Sequence, residues 1–267
     1  MKFLFPIVFL TISLSAQESV KVYYEQAGMG VNIYADNNEV IPMTVELKLT
    51  LRGMESDIPN DEGLIVVPAK SKKFLLTGTR VAGKSREMTF SMDSKYFIGD
   101  ITLKPDQDHI YSLPFSKKEK VQVYQGYNGS YSHSGEKALD FGLEIGEKVT
   151  ASRGGIVYKV EESNSKSCQD ESCAKYNNLV IIYHEDGSFA EYVHLKKDGV
   201  EVSVGDKIST NDLIGYSGNT GWTSGPHLHY MVFQFTKEGT RKSFKTKFST
   251  NDKNGVYLQE KTFYKKK

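Results

Sequence analysis

Two cysteines in the whole chain are too few for a disulfide framework. No second pair or nearby histidines stand beside them to complete a thiolate metal site. Cys168 and Cys173 lie in the polar stretch NSKSCQDESCAKYNN, where an oxidising compartment would close them into a small ring that stiffens a surface loop. Neither sign of charge is in excess: the formal net charge is +1, and Lys2 would leave with a targeting segment. Such a balance supplies no basic surface for nucleic acid, whose phosphates require one. Long apolar runs are missing as well. Phe3 to Leu14 is mostly apolar but too short to span a bilayer, and no cysteine follows it to take a lipid. No long stretch has helical periodicity, and no internal repeat or low-complexity linker is present.

What is there fits a folded, exported, β-rich protein. Apolar residues make up 39% and charged residues 25%, a composition that excludes general disorder. MKFLFPIVFLTISLSAQES reads as a secretory signal over residues 1–16, with Lys2 as its basic start and cleavage near Ser15 or Ala16. The alternative, an uncleaved anchor, is disfavoured by length. The chain is therefore expected in the periplasm or outside the cell, with no membrane span after cleavage. Sixteen Tyr and 14 Phe, with frequent Val, Thr and Ile, lean toward strands. In IPMTVELKLTLRG, Val45, Leu47, Leu49 and Leu51 alternate with Thr44, Glu46, Lys48 and Thr50, which predicts a half-buried strand. VNIYADNN, GLIVVPAKSKKFLLTGT, REMTFSM and KYFIGDITL add strand candidates. About seven short strands before Ser116 suggest a β-sandwich over 17–118, immunoglobulin-like in one form. The charged SKKEK, Lys117 to Lys120 in part, marks a boundary, and 119–267 forms a second domain.

That second domain reads as an antiparallel sheet built from GGIVYKVEE, NNLVIIYHEDGS, FAEYVHLKK, DKISTNDLIGYSG and HLHYMVFQF. Five of the six histidines lie in it; His109, the sixth, reads as solvated or structural. His227 and His229 sit two apart on a strand and so share a face, with Leu228 opposite. YSHSGEKALDFG adds His133 and Asp140, with Gly135 between them to let the chain fold back. A catalytic zinc site keeps three protein ligands and one open position, and His133, Asp140 and one of the His227/His229 pair make that count. His194, on a strand with Tyr192 facing the same way, is structural if alone but completes a set of five with these. His184, at a strand end before the Asp186–Gly187 turn, reads as a solvated surface residue. Trp222 either lines a cleft or packs its own loop, and the tail KTFYKKK reads as frayed.

SHSGEKALDFGLEIGEKVTASRGGIVYKV, then YVHL, then VSVGDKISTNDLIGYSGNTGWTSGPHLHY, resembles the lysostaphin-type (LytM) zinc metallopeptidases, which are bacterial peptidoglycan endopeptidases. The resemblance runs from Gln125 to Phe235. It implies one Zn²⁺ per chain on His133, Asp140 and His229, with His194 and His227 as the catalytic histidines acting on the attacking water and the transition state. Two departures stand out. Six residues separate His133 from Asp140 where much of the family has three, and Met231 occupies a position that is polar in some members. The implied function is a zinc metalloendopeptidase that hydrolyses peptide cross-links of peptidoglycan by attack of a zinc-activated water. The alternative is a catalytically silent binding or regulatory protein acting on cell-wall enzymes. Oligomeric state leaves no trace in the sequence.

Overall fold

The computed structural model describes residues 19–83, 85, 87–116 and 120–267. The leader at 1–16 and most of the expected boundary at 117–120 lie outside the described residues. The described chain is almost entirely β, as the sequence predicts. Its first seven strands are β1 (Val20–Ala27), β2 (Gly30–Asn37), β3 (Met43–Arg52), β4 (Met54–Ser56), β5 (Glu62–Val67), β6 (Phe74–Val81) and β7 (Thr89–Ile98). They form two antiparallel sheets, ordered β1-β2-β6-β4 and β5-β3-β7. REMTFSM and KYFIGDITL, read as two strands, are one: β7 runs through Asp93 and Ser94 and stops at the positive-φ Gly99. Val45, Leu47 and Leu49 of β3 turn inward as alternation requires. Thr44 does not turn to solvent; it is fully buried because its hydroxyl donates to the Gly99 carbonyl at 2.8 Å and accepts from the Ile101 N–H at 3.1 Å.

The rest of the chain contributes short strands around one large sheet. In order these are β8 (Ile110–Ser112), β9 (Val121–Gln125), β10 (Ala138–Phe141), β11 (Lys148–Thr150), β12 (Gly155–Glu161) and β13 (Ser167–Cys168). Next come β14 (Leu179–Tyr183), β15 (Phe189–Val193), β16 (Leu195–Val200), β17 (Lys207–Ile208), β18 (Leu213–Ser217) and β19 (Gly221–Trp222). Last are β20 (Leu228–Phe235), β21 (Arg241–Phe244), β22 (Lys247–Ser249), β23 (Val256–Tyr257) and β24 (Phe263–Tyr264). The sheet runs β17-β12-β14-β15-β20-β10-β9-β24, with β21 also on β20. KTFYKKK is thus not frayed: β24 pairs with β9, and Lys266 Nζ donates to Thr150 Oγ1 at 2.8 Å. The open backbone groups of an edge strand supply the partner.

Alternation gives this sheet two different faces. Leu228, Tyr230 and Val232 of β20, Ala190 and Tyr192 of β15, and Val180 and Ile182 of β14 enter one apolar core. Met231 and Phe233, Phe189, and Ile181 and Tyr183 enter the other, together with Val31, Ile33, Val45 and Leu47 from the N-terminal sheets. The N-terminal strands therefore pack on part of one face of the large sheet. Contact is close at Gly99, where a Cβ would come within 2.9 Å of the Phe189 ring. The uncovered part of that face carries the site. Among the described residues no helix is long and apolar enough to cross a membrane.

Candidate metal centre

Asp140 and His229 are direct cross-strand partners on β10 and β20, so the fold's register brings them together. His229 Nδ1 lies 3.1 Å from Asp140 Oδ1. His133 arrives from the loop between β9 and β10. Its Nδ1–H donates to the Gly126 carbonyl at 3.0 Å, which turns Nε2 toward the pair. Nε2 then stands 3.2 Å from Asp140 Oδ1 and 3.2 Å from His229 Nδ1. The six intervening residues do not spread the ligands. They form a turn in which the Glu136 N–H donates to the His133 carbonyl and Gly135 takes a φ of 79°. Three donor atoms at near-equal spacing suit one tetrahedral ion, since metal bonds of ~2.0 Å put ligand atoms about 3.3 Å apart. The triad is the metal-competent cluster among the described residues.

The other two histidines face this triad. His227 immediately precedes β20 and shares its face with His229, while Leu228 is fully buried on the other side. Its Nδ1–H donates to the Gly225 carbonyl at 2.9 Å, and its Nε2 is 3.6 Å from Asp140 Oδ1. His194 lies just after β15 rather than within it, and its φ of 66° breaks the alternation. Tyr192 therefore does not face the same way: it is buried in the opposite core with its hydroxyl against Ser152. His194 Nδ1–H donates to the Thr220 carbonyl at 2.7 Å, and the His194 and His227 rings are 4.6 Å apart. Both histidines thus keep the proton on Nδ1 and leave a lone pair on Nε2.

Burial and neighbouring charge act in opposite directions on this cluster. Burial disfavours the Asp140 carboxylate, but hydrogen bonds from His133 and His229 outweigh it and hold its pKa well below the usual range. Burial likewise disfavours a charged His229, yet Asp140 and Glu191 bring its pKa up to about 9. For His194, burial, with His227 and His229 adding to it, outweighs the Thr220 carbonyl and Asp140 and takes its pKa down to about 3.

Two buried residues of this centre escaped the sequence reading. Gln125 is the β9 partner of Asp140; its Nε2 donates to Asp140 Oδ2 at 3.2 Å, and its Oε1 accepts from the Tyr131 and Ser132 N–H groups. It ties the His133 loop to Asp140. Glu191 points its Oε1 at His229 Nε2 from 3.8 Å. Only strand pairing identifies either of them. The surroundings form a cleft of about 670 Å³ whose walls include Tyr124, Tyr131, Leu179, Val193 and Trp222. Among the described residues its lining comes from 124–260, with none from the N-terminal sheets. Trp222 both lines the cleft and packs its loop, its Nε1–H donating to the Gln169 carbonyl at 3.1 Å. The Cys168–Cys173 disulfide is formed, and β13 beside it pairs with β19.

His184 stands apart from the centre and is not a surface residue: it is fully buried. Its Nδ1–H donates to the Gly154 carbonyl at 2.8 Å, its Nε2 has no partner, and burial lowers its pKa to about 4. The turn that follows is drawn inward by the pairing of Asp186 with Arg153 at 2.7 Å.

Two histidines and a carboxylate thus converge in an open cleft of an antiparallel β domain as a candidate metal-binding centre. Residues 134–242 match Peptidase family M23. An uncharacterized metalloprotease of Buchnera aphidicola is 31% identical over 139 residues, which are 51% of this chain and 34% of that protein. The peptidoglycan DD-endopeptidase ShyA of Vibrio cholerae is 36% identical over 91 residues, 34% of this chain and 18% of that one. A solved catalytic domain of the antimicrobial peptidase lysostaphin from Staphylococcus simulans aligns at 25% identity and a TM-score of 0.34, covering 47% of this chain and 88% of that domain. The chain spans about a third or less of the length of the two curated relatives.

Proposed function

We propose that the protein is an exported zinc metalloendopeptidase that hydrolyses peptide cross-links of bacterial peptidoglycan. The observation that carries this reading is the triangle of His133 Nε2, Asp140 Oδ1 and His229 Nδ1, with edges of 3.1–3.2 Å, faced by two histidines with free Nε2 atoms. Two imidazoles and one carboxylate suit zinc better than calcium or magnesium, which prefer oxygen-rich shells. The peptidoglycan substrate is drawn from the name of the Vibrio relative. His133, Asp140 and His229 are the proposed ligands and His194 and His227 the catalytic pair. The proposed division is an accessory domain over 17–118 and a peptidase domain over 119–267, with Tyr111, Leu113 and Phe115 at the end of the first packing into the core of the second.

When bound there, zinc supplies Lewis acidity, polarising an amide carbonyl and acidifying water. The rest falls to side chains. His194 and His227 are each held by a carbonyl at Nδ1, so each presents Nε2 to the cleft in a fixed direction. One accepts a proton from water and returns it to the leaving amine, a role worth roughly 10²–10⁴-fold. The other donates to the oxygen that gains charge only after taking up a proton at Nε2, and one placed donor there is worth about 3 kcal/mol. Leu179, Val193 and Trp222 give the cleft apolar wall area.

The test is zinc content measured together with release of soluble muropeptides from purified peptidoglycan. Wild type is expected to hold one zinc per chain and to release fragments. His229→Ala loses both, whereas His194→Ala keeps zinc and loses release. A wild-type chain without zinc or cleavage would instead support the silent binding module.

A further inference from the structure

We propose that Glu191, braced by Arg241, is a positioning residue that holds the Nε2 proton of His229 and so keeps Nδ1 aimed at the metal. This inference rests on the metal-site reading above. It begins with strand pairing: β15 sets Glu191 opposite Met231 and Val193 opposite His229. Glu191 is thus one pair along from His229 on the same face. Its side chain is only 7% exposed. Oε2 accepts from Arg241 Nη1 at 2.7 Å, and Oε1 faces His229 Nε2 at 3.8 Å, an ion-pair distance that a small side-chain movement would shorten to a hydrogen bond. Arg241, on β21, lays its guanidinium 4.8 Å from the centroid of the Phe233 ring, which fixes it from the far side.

A buried carboxylate is costly unless its oxygens are both used. One oxygen is taken by Arg241; the other is directed at the histidine. His229 needs such an acceptor. Its Nδ1 is the atom that meets Asp140 and His133, so when Nδ1 serves as a ligand the ring's remaining proton must sit on Nε2. Met231, the next residue on that face of β20, offers only a weakly accepting thioether. The carboxylate is therefore supplied by the neighbouring strand, directly across from Met231.

This arrangement predicts its own repair. Glu191→Gln and Glu191→Ala should weaken zinc binding about 10–100-fold in competition with a chromophoric chelator, using the full chain. Restoring a carboxylate across the strand pair, in Glu191→Ala with Met231→Glu, should recover most of that loss. Glu191→Gln is isosteric, and a metal-free thermal melt near that of wild type shows that its loss of affinity is not a loss of fold. Unchanged zinc affinity in both single variants overturns the proposal. Loss without recovery in the double variant assigns Glu191 to packing and also overturns it. A wild-type chain that binds no zinc fails at the earlier step, and the metal-site reading falls with this one.

Discussion

At the residue scale, six histidines divide by what each ring nitrogen can reach. His133, His194 and His227 each give one N–H to a backbone carbonyl and turn the other nitrogen toward the cleft. His184 gives one N–H to Gly154 and turns the other into a sealed core. That difference makes His184 a source of acid sensitivity. Its folded pKa is about 4 against an ordinary 6.5, so above pH 6.5 it is neutral in both states and adds no slope. As pH falls below 6.5 the unfolded chain takes up a proton that the folded chain refuses, and stability declines until about pH 4. The full loss is roughly 3 kcal/mol at 1.36 kcal/mol per unit. Denaturant titrations of wild type and His184→Gln at a series of pH values check this. The variant is expected to be less stable at pH 7 but flatter between 6.5 and 4; parallel curves would refute it. The histidines of the site were singled out because the family resemblance supplies their types and their order along the chain. Gln125 and Glu191 were not, since their partners lie on neighbouring strands and no local pattern marks them. His184 was misread because the turn after it looks polar, while Arg153 pairing with Asp186 draws that turn inward.

At the element scale, period-two alternation made most strands readable, and β3 and β20 follow it closely. It failed where one side chain had a private hydrogen-bond partner, as Thr44 has in Gly99, or where the backbone changed hand, as at His194. It also could not show that the disulfide loop supports the cleft. Gly221 N–H donates to the Lys166 carbonyl, Thr223 N–H to the Cys168 carbonyl, and Trp222 N–H to Asn177 Oδ1. Gly221 must be glycine here, with a φ of 80° and a would-be Cβ 1.8 Å from Asn177 Oδ1. The crosslink thus stiffens a strip that carries the Trp222 wall and delivers the chain to His227. Its chain-entropy contribution for so short a ring is about 2 kcal/mol. Replacing both cysteines with serine should lower unfolding free energy by no more than that amount. It should leave zinc affinity unchanged and weaken substrate binding, visible as a raised KM with kcat little altered. An equal fall in zinc affinity would show that the loop supports the ligands instead.

At the scale of the whole molecule, the N-terminal sheets and the large sheet share a core rather than touching through a polar linker. Ile181, Tyr183, Phe189, Met231 and Phe233 pack into the same apolar cluster as Val31, Ile33, Val45 and Leu47. Phe189 and Phe233 stack at 5.5 Å, and Phe189 lies against Gly99. None of this could be read in advance, because alternation gives a strand two faces without saying what covers each. The consequence is mechanical. The strands that carry His229 and Glu191 continue directly into the shared core, through Met231 to Phe233 on β20 and through Glu191 to Phe189 on β15. Separate melting of the two halves would expose these aromatics, so the chain is expected to unfold in one calorimetric transition with equal calorimetric and van't Hoff enthalpies. Phe189→Ala should cost about 3–5 kcal/mol and lower that single transition as a unit. Two resolved transitions in wild type, with Phe189→Ala moving only one of them, would mean that the shared core does not couple the halves. A single shifted transition would mean that the accessory sheets stabilise the very strands on which the metal centre is built.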